Sequence, residues 1–255
     1  MHWCDDGIIL AVRKHGESSA IVDVLTCHHG RQKGLVRGGF GRRNRGLLTP
    51  GNEAVVDWRA RLAEHLGTFR IEAKSTRAAL LLDDPLRLAG LSAACAMAEL
   101  TLPEREPHLA VYEGMAVLLA ALAGDDPSWP QAYVRWELGL LAELGFGLDL
   151  ERCAASGEVS GLSHVSPRTG RAVSAACAAP YKDRLFRLPG FLVPGRGLPA
   201  TNDPAGDILA GLELSGHFIE RHVLEPHRLK IPAARTRLIE RFTRAATISS
   251  DIRRP

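Results

Sequence analysis

Through its first 75 residues the chain alternates short apolar runs with polar turns. Residues 7–13 and 20–26 are apolar runs rich in β-formers, and the polar His15-Gly16-Glu17-Ser18 between them predicts a hairpin. His28-His29-Gly30 marks the next turn and residues 31–36 a third strand. A fourth strand, 53–58, follows the turn signal Thr49-Pro50-Gly51-Asn52. In the fifth, 67–72, Phe69 and Ile71 alternate with Arg70 and Glu72. Five short strands with such regular punctuation predict a small closed barrel.

After Ala73 the period changes to that of helices, predicted over 86–100, 109–123, 131–144, 208–224 and 235–246. Asp84-Pro85, Asp126-Pro127 and Asp203-Pro204 read as N-caps followed by Pro at the first helical position. Residues 149–204 are irregular and rich in Gly, Ser and Pro. The expected fold is α+β and multidomain: a β-barrel over 1–75, then a mainly helical domain over 76–255 carrying the long insertion 149–204.

Composition narrows the class. With 45% hydrophobic and 24% charged residues and a mean hydropathy of −0.04, the chain is an ordinary globular one. The longest apolar stretches, such as 116–123, are too short to span a membrane, and the first residues show no signal-peptide pattern. A cytoplasmic protein with no membrane partner is expected. The five cysteines are scattered without a CxxC, so no disulfide framework is expected. The net charge of +3 conceals a division: +4 over 1–75, −6 over 76–219 and +5 over 220–255. Basic ends around an acidic middle raise the expectation of a polyanionic partner.

Between residues 31 and 45 stand Arg31, Lys33, Arg37, Arg42, Arg43 and Arg45 with no acidic residue. Glycines there allow close backbone approach to phosphates, the cations neutralise them, and Phe40 offers a face for base stacking. Arg59, Arg61 and His65 lie in the next barrel loop. The segment is not a P-loop, since no Gly-Lys-Ser/Thr follows its glycines. Cys27-His28-His29 is read as a surface turn rather than a metal site, because adjacent side chains at a strand end point in different directions. Asp5-Asp6, Asp83-Asp84 and Asp125-Asp126 are paired acids, two of which are explained by helix capping. No nucleophile elbow or His-Glu-x-x-His motif is present, and no catalytic residue is expected. Toward the end, Arg221, Arg228, Lys230, Arg235, Arg237, Arg241 and Arg244 give the last helices a basic side. Such a side suits an acidic peptide ending in a carboxylate.

Several segments in order resemble one family. Trp3-x-x-x-Gly7-Ile-Ile-Leu, His15-Gly-Glu-Ser-Ser-Ala-Ile-Val22, Gly34-Leu-Val-Arg-Gly-Gly39 and Leu48-x-Pro-Gly51 are similar to RecO, the bacterial DNA-repair and recombination mediator family, in its alphaproteobacterial form. Glu137-Leu-x-Leu-Leu-x-Glu-Leu-Gly-Phe-Gly-x-Asp-Leu150 and Val165-Ser-Pro-x-x-Gly-Arg-Ala-Val-Ser174 continue the resemblance over essentially the whole chain. It implies an N-terminal OB-fold and a helical C-terminal domain. It also implies binding of single- and double-stranded DNA, strand annealing, and partnership with RecR and the acidic C-terminal tail of single-stranded-DNA-binding protein, so that RecA is loaded indirectly.

Carried over by position, the DNA-binding candidates are Arg31, Lys33, Arg37, Phe40, Arg42, Arg43, Arg45, Arg59 and Arg61. The tail-binding candidates are Arg135, Arg221, Arg228, Lys230, Arg235, Arg237 and Arg241. No cofactor is expected. Some relatives hold zinc with four cysteines in the insertion, but here Ser156 and Ser174 join Cys153 and Cys177, and a serine hydroxyl is a poor zinc ligand. The insertion is thus expected to be a degenerate zinc knuckle without metal. The alternatives are an RNA-binding OB-fold protein, a metal-dependent nuclease using paired acids, and a purely structural scaffold.

Overall fold

The computed structural model describes residues 1–41, 44, 46–62, 64–193 and 203–252. Its contacts divide the chain into two compact units, 1–127 with 232–238, and 128–231 with 239–255.

The first unit begins with five strands, β1 (His2–His15), β2 (Ser19–Thr26), β3 (Gly30–Val36), β4 (Glu53–Arg59) and β5 (Thr68–Ser75). They close into a barrel in the order β1-β2-β3-β5-β4, the OB-fold expected from the sequence. β1 begins five residues before the apolar run that reveals it. Its first half pairs with β4 and its second with β2, and a register shift between Ile9 and Ala11 accommodates the change. The barrel interior is filled by Ile9, Val22, Val24, Val56, Trp58 and Phe69, all less than a tenth exposed. Closure depends on a single parallel rung, Leu35 against Thr68, supported by the Leu35 N–H donating to Gly67 O at 3.0 Å. Gly67 sits at φ +68° directly over the Trp58 indole, where a Cβ would lie 2.4 Å from Nε1, so only glycine can make this turn.

Helices α1 (Pro85–Thr101) and α2 (Leu109–Ala123) belong to the same compact unit as the barrel, although strand gives way to helix near residue 76. Packing explains this: Leu91, Cys95 and Met97 of α1 are buried, and the Cys95 thiol reaches Ile9 O of β1 at 3.9 Å. Asp84 caps α1 as its sequence signature predicts, accepting from the Leu86 and Arg87 N–H groups at 3.0 Å. Arg87 then donates to the Leu122 carbonyl at 2.8 Å and to that of Gly124, tying the start of α1 to the end of α2.

In the second unit α3 (Trp129–Leu141) packs against α5 (Pro204–Ile219). The expected start of α3 after Asp126 is corrected: the helix opens at Trp129, two residues later, behind Ser128 and with Pro130 in its first turn. Asp203 does cap α5, accepting from Gly206 N–H at 2.9 Å. The insertion is less irregular than its composition suggests. It contains a small sheet ordered β7-β6-β8, from β6 (Leu162–Val165), β7 (Ala172–Ser174) and β8 (Phe186–Arg187), and the short helix α4 (Ala175–Ala178). The final helix, α6 (Ala233–Ile252), runs from one compact unit into the other. Among the described residues no helix is long and apolar enough to cross a membrane.

Candidate nucleic-acid interface

A cleft of about 520 Å³ opens along the β3–β5 seam of the barrel, where a single rung joins the two strands. Its rim carries Arg37, Asn44, Asp57, Arg59 and Arg70, and Phe69 and neighbouring aliphatic side chains form its base. Strand alternation places them. Asp57 and Arg70 are directly paired across β4 and β5, and both point away from a barrel interior that takes Trp58 and Phe69. Arg37 leaves the end of β3, is exposed, and makes no ion pair among the described residues.

Arg59 is held in place. Its Nε donates to Asp57 Oδ1 at 2.9 Å and Nη2 to Asp57 Oδ2 at 3.2 Å, while His2 Nε2 approaches the same carboxylate at 3.0 Å. Hydrogen bonds from Arg59 and His2 hold the Asp57 carboxyl down to about 2, so it stays ionised at any working pH. The exposed guanidinium at the cleft is therefore held by a fork-shaped contact, with donors left over for a phosphate. Phe40 lines an adjoining depression with Val12, Leu48 and Pro50 and is 39% exposed, leaving part of its ring open for stacking.

The sequence candidates separate by position. Arg37, Phe40, Arg59 and Arg61 are exposed, and the first three border the cleft or its neighbour. Arg42, Arg43 and Arg45 lie outside the described residues. Arg31 is corrected: it is a buried structural cation. Its Nη1 donates to the fully buried Asp23 at 2.6 Å, its Nε donates to Leu102 O at 2.9 Å, and Glu104 lies 3.6 Å from Nη2. Lys33 is half-buried and bonded to Glu104 at 2.5 Å, so it too is largely engaged. Alternation is the reason: on β3 the side chains of Arg31 and Lys33 fall beside Asp23 of β2, its partner strand. Arg70 joins the rim without having been a sequence candidate, although its alternation with Phe69 and Ile71 already marks it as outward-facing.

Burial pushes the Asp23 carboxyl up to about 6 despite Arg31 and Lys33. Because this lies above the ordinary 3.8, the folded state takes up the proton more readily than the unfolded one. Asp23 thus adds stability that is fully present below about pH 4 and lost as pH rises through about 6, amounting to about 3 kcal/mol. In urea unfolding, the stability of the native chain relative to Asp23→Asn is expected to rise between pH 7 and pH 4.5; a difference independent of pH contradicts it.

The tail-binding candidates are dispersed. In the second unit Arg135 donates to Phe191 O at 2.8 Å and lies over the Phe191 ring, and Arg221 donates to Pro167 O at 2.9 Å. Arg228, Lys230 and Arg241 are exposed there. Arg237 is exposed in the first unit, whereas Arg235 is 3% exposed and is corrected from a surface contact to a buried one. In the insertion, Cys153 is buried and its sulfur accepts the Ser174 N–H at 3.3 Å. Burial pushes that thiol up, but hydrogen bonds from Ser156 and Ser174 outweigh it and bring the thiol down to about 5. With two hydroxyls among the four positions, this donor set does not fit a structural zinc ion.

Comparison with known proteins agrees with this arrangement. Residues 1–77 match the family model described as Recombination protein O N terminal, and residues 82–231 match Recombination protein O C terminal. The chain is 49% identical over 251 residues to the DNA repair protein RecO of Rhodospirillum centenum, covering 98% of both chains. It is 54% identical over 189 residues to that of Cereibacter sphaeroides, 74% of this chain and 78% of the relative. Against that of Rhodospirillum rubrum it is 52% identical over 197 residues, 76% of this chain and 78% of the relative. An OB-barrel with an arginine-rimmed cleft, a helical body following it in the chain and matches to both family models make this protein a member of the RecO family of DNA repair and recombination proteins.

Proposed function

We propose that the chain is a non-enzymatic recombination mediator that holds DNA strands on the barrel and anneals them. On this reading it cooperates with RecR, engages the acidic tail of single-stranded-DNA-binding protein through the exposed cations of its helical body, and so helps load RecA. The supporting observation is the cleft itself, where Arg37, Arg59 and Arg70 surround an apolar base beside the half-exposed Phe40. Cations spaced along a groove with an aromatic face at its edge suit a single strand: phosphates pair with the guanidiniums and a base covers the ring. Arg42, Arg43 and Arg45 extend the same basic segment in sequence.

Annealing requires an electrostatic grip that does not read bases, and such a grip weakens steeply with salt. Fluorescence polarisation with labelled single strands is expected to show affinity falling as a power of salt concentration. Annealing of complementary strands should persist when they are coated with single-stranded-DNA-binding protein and decline when that protein lacks its acidic tail. Salt-independent binding contradicts the DNA assignment, and indifference to the tail contradicts the partner assignment.

A further inference from the structure

We propose that the turn between β2 and β3, together with Asp5 of β1, is a binding site for a thiophilic divalent cation of the zinc or cobalt type. One ligand atom from each of Asp5, Cys27 and His28 lies within 4.8 Å of the others. Adjacent residues at a strand end ordinarily diverge, but this turn is wound tightly enough to converge them. Thr26 Oγ1 donates to Gly30 O at 2.7 Å and accepts the His29 N–H at 3.1 Å. Gly30 adopts φ +69° against the Glu106 backbone, where no side chain fits. The turn is also fastened to β1: Cys27 N–H donates to Asp6 O at 3.0 Å and His28 N–H to Asp5 Oδ2 at 2.7 Å.

The buried Asp5 carboxylate meets Nδ1 of His28 at 3.0 Å and Nδ1 of His29 at 2.9 Å. His29 is further fixed by stacking on Trp3, centroids 4.2 Å apart. With Nδ1 of His28 occupied by a carboxylate, the proton is held there and the Nε2 lone pair is free for a metal. Nε2 lies 3.8 Å from Cys27 Sγ. Two ligands on one tetrahedral zinc, at bond lengths near 2.3 Å for sulfur and 2.0 Å for nitrogen, are separated by roughly 3.6 Å. The pair is thus spaced as ligands of one ion, with Asp5 behind the imidazole as the carboxylate that fixes its tautomer and orientation. Thiolate and imidazole favour zinc or cobalt over magnesium or calcium. His28 is exposed and Cys27 half-buried, so an ion can enter and water can fill the remaining positions. None of these residues lines the arginine-rimmed cleft. An ion here ties β1 to the β2–β3 turn, and binding only the folded chain it raises stability by mass action.

The test is titration of the full, chelator-treated chain with cobalt chloride, reading the near-ultraviolet thiolate-to-cobalt charge-transfer band. A band saturating at one equivalent is expected. It should disappear in Cys27→Ser and persist in Cys177→Ser, and His28→Ala should weaken it about tenfold or more. Zinc chloride should displace the band and raise the melting temperature of the native chain, but not that of Cys27→Ser. No band in the native chain, or a band that survives in Cys27→Ser, overturns the proposal. Since both substitutions fall on an accessible turn, circular dichroism of the two variants should match the native chain.

Discussion

Simultaneous replacement of Arg37, Arg59 and Arg70 by alanine is expected to lower single-strand affinity at least tenfold at low salt, with little change in melting temperature. All three side chains are exposed on the cleft rim, and surface substitutions of this kind ordinarily shift stability by only about 0.5 kcal/mol. Each phosphate that is no longer neutralised lowers the salt slope on single strands by about 0.7, so the slope of the triple variant should be shallower by about 2. Polarisation titrations at several salt concentrations give both quantities. A weaker affinity with an unchanged slope means that these arginines do not act on phosphates, and an unchanged affinity removes the cleft as the binding surface. Substituting Arg42, Arg43 and Arg45 in the same assay measures the contribution of the neighbouring basic segment.

Arg31→Ala is expected to do the opposite. Removing one partner of a buried pair strands the other charge, at a cost of about 3 to 5 kcal/mol. Here the stranded group is Asp23, fully buried, with Lys33 at 4.0 Å its nearest remaining cation. The Leu102 carbonyl also loses its donor from Arg31. Urea unfolding should therefore show a large loss of stability, while the fraction that stays folded binds DNA within about twofold of the native chain. Loss of DNA binding at unchanged stability returns Arg31 to the DNA surface.

The contrast between these two variants shows how far a sequence carries a binding site. Arg31 and Arg37 stand in one basic run with no acid among them, and nothing local distinguishes their roles. What separates them is Asp23, eight residues before Arg31 and on the adjacent strand, whose buried carboxylate claims that guanidinium. Arg70 was legible in its alternation with Phe69 and Ile71, but its membership of the cleft depends on the pairing of β5 with β4 and the thin seam to β3. The turn at Cys27-His28-His29 is similar. Its residues are plain in the sequence, yet the carboxylate that gathers both histidines comes from β1, over twenty residues away.

Elements governed by neighbours along the chain were readable without coordinates. The five strands followed from short runs of β-forming residues, the alternation of Phe69 and Ile71 with Arg70 and Glu72, and the turn residues between them, and the starts of α1 and α5 from Asp-Pro caps whose side chains reach backbone only two or three residues on. The family was readable as well, because it is carried by the order of many short segments. Long-range pairing supplied the rest: the first half of β1, whose acidic residues conceal a strand until β4 lies beside it; the adherence of α1 and α2 to the barrel's unit; and the division of one arginine-rich run into a buried brace and an open rim. A charge's role depends on what desolvates it and what opposes it. In this chain both come from residues distant in sequence that the barrel closes together.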